Sequence, residues 1–312
     1  MAENKKFVPL HLSGNTTEQQ NSLLMLCLED ALSHGFKLAL GQLDRQSIQA
    51  AIESGPKIRA EFSQAVAEIV LRHAVSDKFK NEEIGSKRTY PKNYNVRPIE
   101  AQVSELRKAF PALGGCQEKL GHMALPDEPE GWFAIPRWQA LAPTYNEAVE
   151  IAMNALATKR KLSHRIAGRL GNKYLRQSER TRLAETVLAD QQQGNDIFVV
   201  AAQFGMLHRG SSARRTRARL ASHEFALGAF AVVCMLITHP ERLSTSETLM
   251  IDCGGDEYSL HADLSFDRVP LFDFDLSGIE FSIYYEDRAW DMWGTPTGFL
   301  YKLVEEKNGS AA

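Results

Sequence analysis

The stretch LHRGSSARRTRARLASHEFALGAFAVVCMLITHPERLSTSETLMIDCGGDEY, residues 207–258, sets a dense cluster of positive charge beside the longest apolar run in the chain. Glycines and serines lead into Arg214, Arg215, Arg217 and Arg219. The apolar run, residues 225–238, follows, and then a β-prone segment and the pair Gly254-Gly255. Side chains of that run belong inside a protein, whereas arginines stay at the surface unless they are paired. The run therefore reads as a buried helix whose burial fixes the preceding arginines in place. Its 14 residues fall short of the ~20 needed to span a bilayer, so no membrane partner is expected.

Working outward, the net charge of −3 hides a strong asymmetry. Residues 159–219 carry 14 Lys and Arg against four acids, a balance of +10, and residues 220–312 carry 16 acids against five bases, a balance of −11. Such a split points to a middle that binds a polyanion, or one neutralised by the acidic end within the fold or between subunits of a homo-oligomer. Composition is that of a folded soluble protein, 44% hydrophobic and 24% charged over 312 residues. The four cysteines are far apart and form no C-x-x-C pair, which suits a reducing compartment. With no apolar segment of signal-peptide length at the start, the cytoplasm is the expected location.

Periodicity gives the elements. Residues 1–15 read as a loose start with one short strand, Phe7 to Leu12, confined to a sheet edge by Pro9. Thr16 or Thr17 caps a helix to about Ser33; residues 43–53 and 57–75 form two more, split by Gly55-Pro56. Residues 76–98 are polar and read as an exposed, mobile connector. Helical spacing returns at 99–110 and 144–162. Between those helices Trp132, Phe133 and Trp138 are threaded through four prolines, the pattern of an ordered loop packed on the core or of a peptide-binding groove. From Thr248 the period moves toward two, most clearly at residues 279–285. The expected fold is α+β: mostly helical N-terminal and central layers followed by a C-terminal antiparallel β-meander. Residues 16–190 would form a helical region and 197–306 an α+β region with a buried central helix, separate or continuous across 190–196.

Four constellations bear on chemistry. Ser163-His-Arg-Ile-Ala-Gly-Arg-Leu-Gly-Asn172 matches the first half of a helix-turn-helix, although Gln177 and Arg180 stand where its second half needs apolar residues. On a continuous helix at about 100° per residue, Lys161, Arg165, Arg169, Lys173, Arg176 and Arg180 would share an arc of about 120°, a phosphate track. Residues 197–212 read as strand, loop and helix with the skeleton G-x-x-x-x-G-S-S, in which Ser211 replaces the lysine of a P-loop. Ser211 or Ser212 can still cap a helix whose first turn holds arginines, an arrangement that seeks an anion.

Cys253-Gly-Gly-Asp-Glu-Tyr258 resembles the GGDEF signature of diguanylate cyclases. The upstream strand and acidic-basic motif of such domains are missing, and Gly254-Gly255 is read instead as a hairpin turn. His208, His223, Glu224, His239, Asp252, Asp256 and His261 have no metal-ligand spacing, so neither a metal nor another cofactor is expected.

The expectation is a non-catalytic nucleic-acid-binding or nucleoprotein-accessory protein. Arg165, Arg169, Lys173, Arg176, Arg209, Arg214, Arg215 and Arg217 would contact phosphates, and Ser211 and Ser212 would bind an anion. Two other classes remain open. One is an enzyme acting on a phosphorylated or nucleotide substrate beside His208 and Arg209; the other is an assembly protein with basic-to-acidic subunit contacts.

Overall fold

The computed structural model describes residues 5–10, 28–29, 32–33, 35–37, 39, 41–74, 78–262, 264–275 and 278–305. The chain divides into two compact units, Ser13–Ser76, and Met1–Leu12 with Asp77–Ala312. The smaller holds α1 (Arg45–Glu53) and α2 (Gly55–Ala74). The Asp44 carboxylate accepts the Ser47 amide at 2.7 Å and so caps α1. Pro56 stands in the first turn of α2, where its missing N–H costs nothing. The helix expected over 16–33 falls largely outside the described residues.

The larger unit runs β1 (Lys5–Pro9), α3 (Ile99–Ala109), β2 (Gly131–Pro136), α4 (Tyr145–Lys159), β3 (Leu162–His164), β4 (Leu175–Gln177), α5 (Glu179–Gln191), β5 (Ile197–Gln203), α6 (Ala213–Arg219), β6 (Glu224–Ala226), α7 (Ala229–Thr238), β7 (Met250–Asp252), β8 (Asp256–Tyr258), β9 (Arg268–Asp275), β10 (Gly278–Tyr285), β11 (Trp293–Gly294), β12 (Thr297–Phe299) and β13 (Tyr301–Glu305). All ten residues of α7 are buried. It has no polar face, so it needs cover on every side, and α3, α4 and β2 pack against it. Each large side chain there, Phe230, Met235, Leu236 or Ile237, contributes about 1.5–3 kcal/mol by leaving water.

Two sheets flank this helix layer, and β1 pairs with β13 in a separate antiparallel ribbon. The four-stranded sheet has the order β2-β5-β12-β6 and is antiparallel throughout. The seven-stranded sheet runs β11-β7-β9-β10-β3, with β8 joining β9 to β4. It is mixed: β3 lies parallel to β10 and β11 parallel to β7, while β9 and β10 form the antiparallel hairpin that alternation indicated.

This overturns the expected order of helical layers first and an antiparallel meander last. Strands β2 to β5 alternate with helices through the middle of the chain, and the seven-stranded sheet recruits β3 and β4 from the segment read as helical. The hidden strands have physical reasons. In β2 five of six residues are buried, so no period of two shows, and its prolines lie at or beyond its ends. Strands β3 and β4 have three residues each, too short for periodicity to register.

Two smaller expectations also change. Gly254-Gly255 does not turn a hairpin. Strands β7 and β8 lie end to end along β9, and the glycines bulge out to meet the start of α7. A Cβ on Gly255 would sit 2.5 Å from Ala226 O and Gly228 N, so only glycine permits that approach. Residues 78–98 are no loose connector either. Ile84 N donates to Gly210 O at 2.9 Å, Leu249 N donates to Thr89 O at 3.0 Å, and Tyr90 and Tyr94 pack on the core. No helix among the described residues is long and apolar enough to cross a membrane.

Candidate nucleic-acid interface

The structure divides the basic segment into a half that is used up inside the fold and a half that faces solvent. Helix α6 belongs to the first. Arg214 pairs with Glu82 and lies over the Phe79 ring at 4.2 Å. Arg215, its side chain only 10% exposed, donates to Lys78 O at 2.8 Å and lies 3.6 Å from Glu83, which also holds Arg219 at 2.8 Å. Arg217, 18% exposed, pairs with Glu286 and donates to Gly254 O and Asp256 O at 2.7 and 2.6 Å. Farther back, Arg160 donates to Pro240 O and Leu243 O, and Arg180 to Glu224 O and Ala221 O. Through these bonds the arginines brace the backbone segments around them. Their carboxylates come from residues 82–83 as well as from the acidic end.

The expected anion site is likewise filled from within at Ser212, whereas the Ser211 hydroxyl is buried with no hydrogen-bond partner. Residues 197–219 do fold as strand, loop and helix. Both serines are 1% exposed. The Ser212 amide donates to Glu82 O at 3.0 Å, its hydroxyl donates to the Glu82 carboxylate at 2.8 Å, and the Arg214 amide donates to Glu286 O at 2.9 Å. Ser212 Oγ caps Arg215 N at 2.9 Å, as read from the sequence. Arg209 is exposed, its guanidinium against the Met206 sulfur at 2.8 Å.

The exposed half lies between β3 and β4. No helix forms there, so neither a helix-turn-helix nor a continuous helical stripe of cations exists. Gly168 adopts φ +75°, a left-handed conformation that stops any helix. Ile166 and Leu170, 3% and 0% exposed, anchor the loop into the core and leave Arg165, Arg169 and Lys173 outward. Arg165 is 64% exposed and pairs with Glu280 at 2.5 Å. Arg176, 55% exposed, pairs with Glu257 at 2.7 Å and stacks over Phe266 at 3.7 Å. The side chains of Arg169, Lys173 and Arg182 are exposed and have no hydrogen-bond or ion-pair partner among the described residues.

Beside this arm opens a cleft of about 740 Å3. Trp138, Tyr145, Asn146, Asn172, Arg176, Gln177, Glu179, Arg182 and Glu257 are among the residues that line it. Its aromatic wall is rigid. Trp138 Nε1 donates to Glu185 at 3.1 Å, and Gln177 Nε2 donates to the same carboxylate at 2.6 Å. Burial pushes the Glu185 carboxyl up to about 7 against the pull of those two donors. Sequence reasoning missed Asn146 and Gln177 as site residues, because a polar residue in a helix or short strand carries no sign of which face it takes. Arg182 was visible only as part of the charge count. Trp138 was visible as an aromatic among prolines but not as a cleft wall.

The histidines and acids singled out in the sequence do not form a metal centre. Among the described residues no group of three or more His, Cys, Asp and Glu could hold a metal ion. His208 and Glu224 do meet, 2.7 Å apart and both about 4% exposed, and Thr297 and Gln203 extend their network to Thr295 and Asp252. Burial opposes the Glu224 carboxylate, but its hydrogen bonds from His208 and Thr297 prevail and lower its pKa. The network ties the two sheets together from inside. His223 pairs with Glu128 instead, and His239 Nε2 accepts the Arg97 amide at 3.0 Å. No protein-family model matches the chain, and no curated protein and no solved structure matches it.

Proposed function

We propose that the protein binds nucleic acid, without catalysis of its own, through the exposed cations between β3 and β4 and at the start of α5. The observation that carries this reading is that Arg169, Lys173 and Arg182 are exposed and have no carboxylate partner among the described residues, in the same stretch of chain as the exposed, paired Arg165 and Arg176. A chain that pairs the four α6 arginines with its own carboxylates has reason to leave these free if they meet a polyanion. Arg165 and Arg176 join them, because exposed ion pairs of this kind are worth about 0–1 kcal/mol and exchange readily for phosphate. The α6 arginines expected from the sequence to contact phosphates act in this reading as struts.

The non-catalytic part rests on access. His208 and Glu224, which pair at 2.7 Å, are buried, and neither is among the residues lining the cleft. Electrophoretic shift of short oligonucleotides across a salt series tests the proposal. A shift at low salt that fades as salt rises is expected; no shift, or one indifferent to salt, contradicts it.

A further inference from the structure

Two carboxylates face each other across the β9–β10 hairpin. Asp273 stands directly opposite Glu280 in the antiparallel register, and Asp275 follows two residues along, on the same face of β9. Like charges set directly opposite each other destabilise a sheet. Solvent relieves this pair little. Glu280 is 8% exposed, and Asp273 Oδ1 is buried with no hydrogen-bond donor among the described residues. Arg165 offsets the two acids. It follows β3, donates its amide to Phe281 O at 3.0 Å, and sets its guanidinium against Glu280 at 2.5 Å. Burial pushes the Asp273 carboxyl up to about 6, Glu280 and Asp275 add to the rise, and Arg165 opposes it. On β3, Ser163 lies opposite Glu280, and the His164 ring takes the other face, against Phe281 at 5.2 Å. Lys161, just before β3, is exposed.

The two sides of this contact differ in freedom. The Arg165 side chain is 64% exposed and can turn toward a phosphate, whereas the carboxylates are held by the sheet and cannot follow it. We propose that Glu280 competes with phosphate for the Arg165 guanidinium, so that nucleic-acid binding releases Glu280 and draws a proton onto Asp273. The proposal rests on the nucleic-acid reading above. When Arg165 turns outward, Asp273 loses the one charge that opposes its rise, and its carboxylate takes up a proton from water. The bound state therefore holds more protons than the free state above about pH 6. Affinity rises as pH falls toward that value and levels off below it. Arg176 provides the contrast, because Glu257 stands opposite Arg176 itself in the β4–β8 register rather than opposite a second acid.

Anisotropy of a labelled oligonucleotide with the full chain, at pH 6 and pH 8, tests the proposal. Glu280→Gln binds about three- to fivefold more tightly than the wild type at pH 8, and most of that gain disappears when Arg165→Ala is added. Between pH 8 and pH 6 the wild type gains about two- to fivefold more affinity than Asp273→Asn does. Unchanged affinity in Glu280→Gln, an equal gain with and without Arg165, or parallel pH profiles for the wild type and Asp273→Asn overturns it. A second measurement needs no nucleic acid. Carbon-detected NMR of the Asp273 carboxyl shows a higher titration midpoint in Arg165→Ala than in the wild type, and equal midpoints overturn the proposal whatever the strand does. The two readings fail separately. Salt-sensitive wild-type binding that Glu280→Gln leaves unchanged overturns the competition and keeps the surface. A raised Asp273 midpoint in Arg165→Ala, with no strand bound by the wild type or by Glu280→Gln, overturns the surface and the competition with it.

Discussion

The Tyr145 hydroxyl lies 2.8 Å from each carboxylate oxygen of Asp256, and the same carboxylate accepts the Ala229 amide at 2.7 Å. A buried acid thereby caps the apolar helix α7 at the end where the helix dipole favours negative charge. Even so, burial pushes its pKa up to about 7, with nearby Glu185 adding to the rise. Because the folded value lies above the unfolded one, the native state holds more protons between about pH 4 and 7. Stability therefore falls as pH rises through that window and levels off above it. Asp256→Asn keeps an acceptor for Ala229 and removes the titration. Urea unfolding at pH 5, 6, 7 and 8 should show the wild type losing its advantage over the variant as pH rises. Parallel pH profiles for the two proteins would contradict this.

Arginines close in sequence have opposite roles, and stability separates them. Arg217→Ala leaves Glu286 and two loop carbonyls without a donor in a mostly buried place, a loss of about 3 kcal/mol. Arg169→Ala removes a side chain with no partner and changes stability by less than about 0.5 kcal/mol. Urea midpoints measure both. A small effect at Arg217 would mean that the α6 arginines are not struts.

Gly255→Ala tests the close approach behind α6 and α7. The added carbon would sit 2.5 Å from Ala226 O, Gly228 N and Leu227 C, all backbone atoms that cannot step aside. A cost of about 1–3 kcal/mol is expected, read as a lower melting temperature. A melting temperature equal to that of the wild type would show that the backbone there yields.

The sequence was readable wherever burial imposes a period. Helices α3 and α4 followed from spacing, the capping box of Thr144 and Glu147 marks the start of α4, and α7 followed from its unbroken apolarity. It misled where nothing is buried. The cations from Lys161 to Arg180 recur at helical spacing on what is mostly a solvent loop between two short strands, because exposed charge is under no packing constraint. Pairing at long range was also invisible. Glu82 and Glu83 reach Arg214, Arg215 and Arg219 across about 130 residues of chain, from a segment whose composition resembles a linker. The cleft was hidden for the same reason, since Trp138, Asn146, Gln177 and Arg182 meet only through the packing of α4, β4 and α5.

The central claim is that Arg169, Lys173 and Arg182 meet phosphates and the α6 arginines do not. The salt dependence of single-strand binding, wild type against the triple variant Arg169→Ala, Lys173→Ala, Arg182→Ala, tests it most directly. Each phosphate contact contributes about 0.7 to the slope of log K against log salt, so the variant's slope should be shallower by about 2. Weaker binding with that shallower slope is the predicted result. A slope and an affinity equal to those of the wild type would contradict the account.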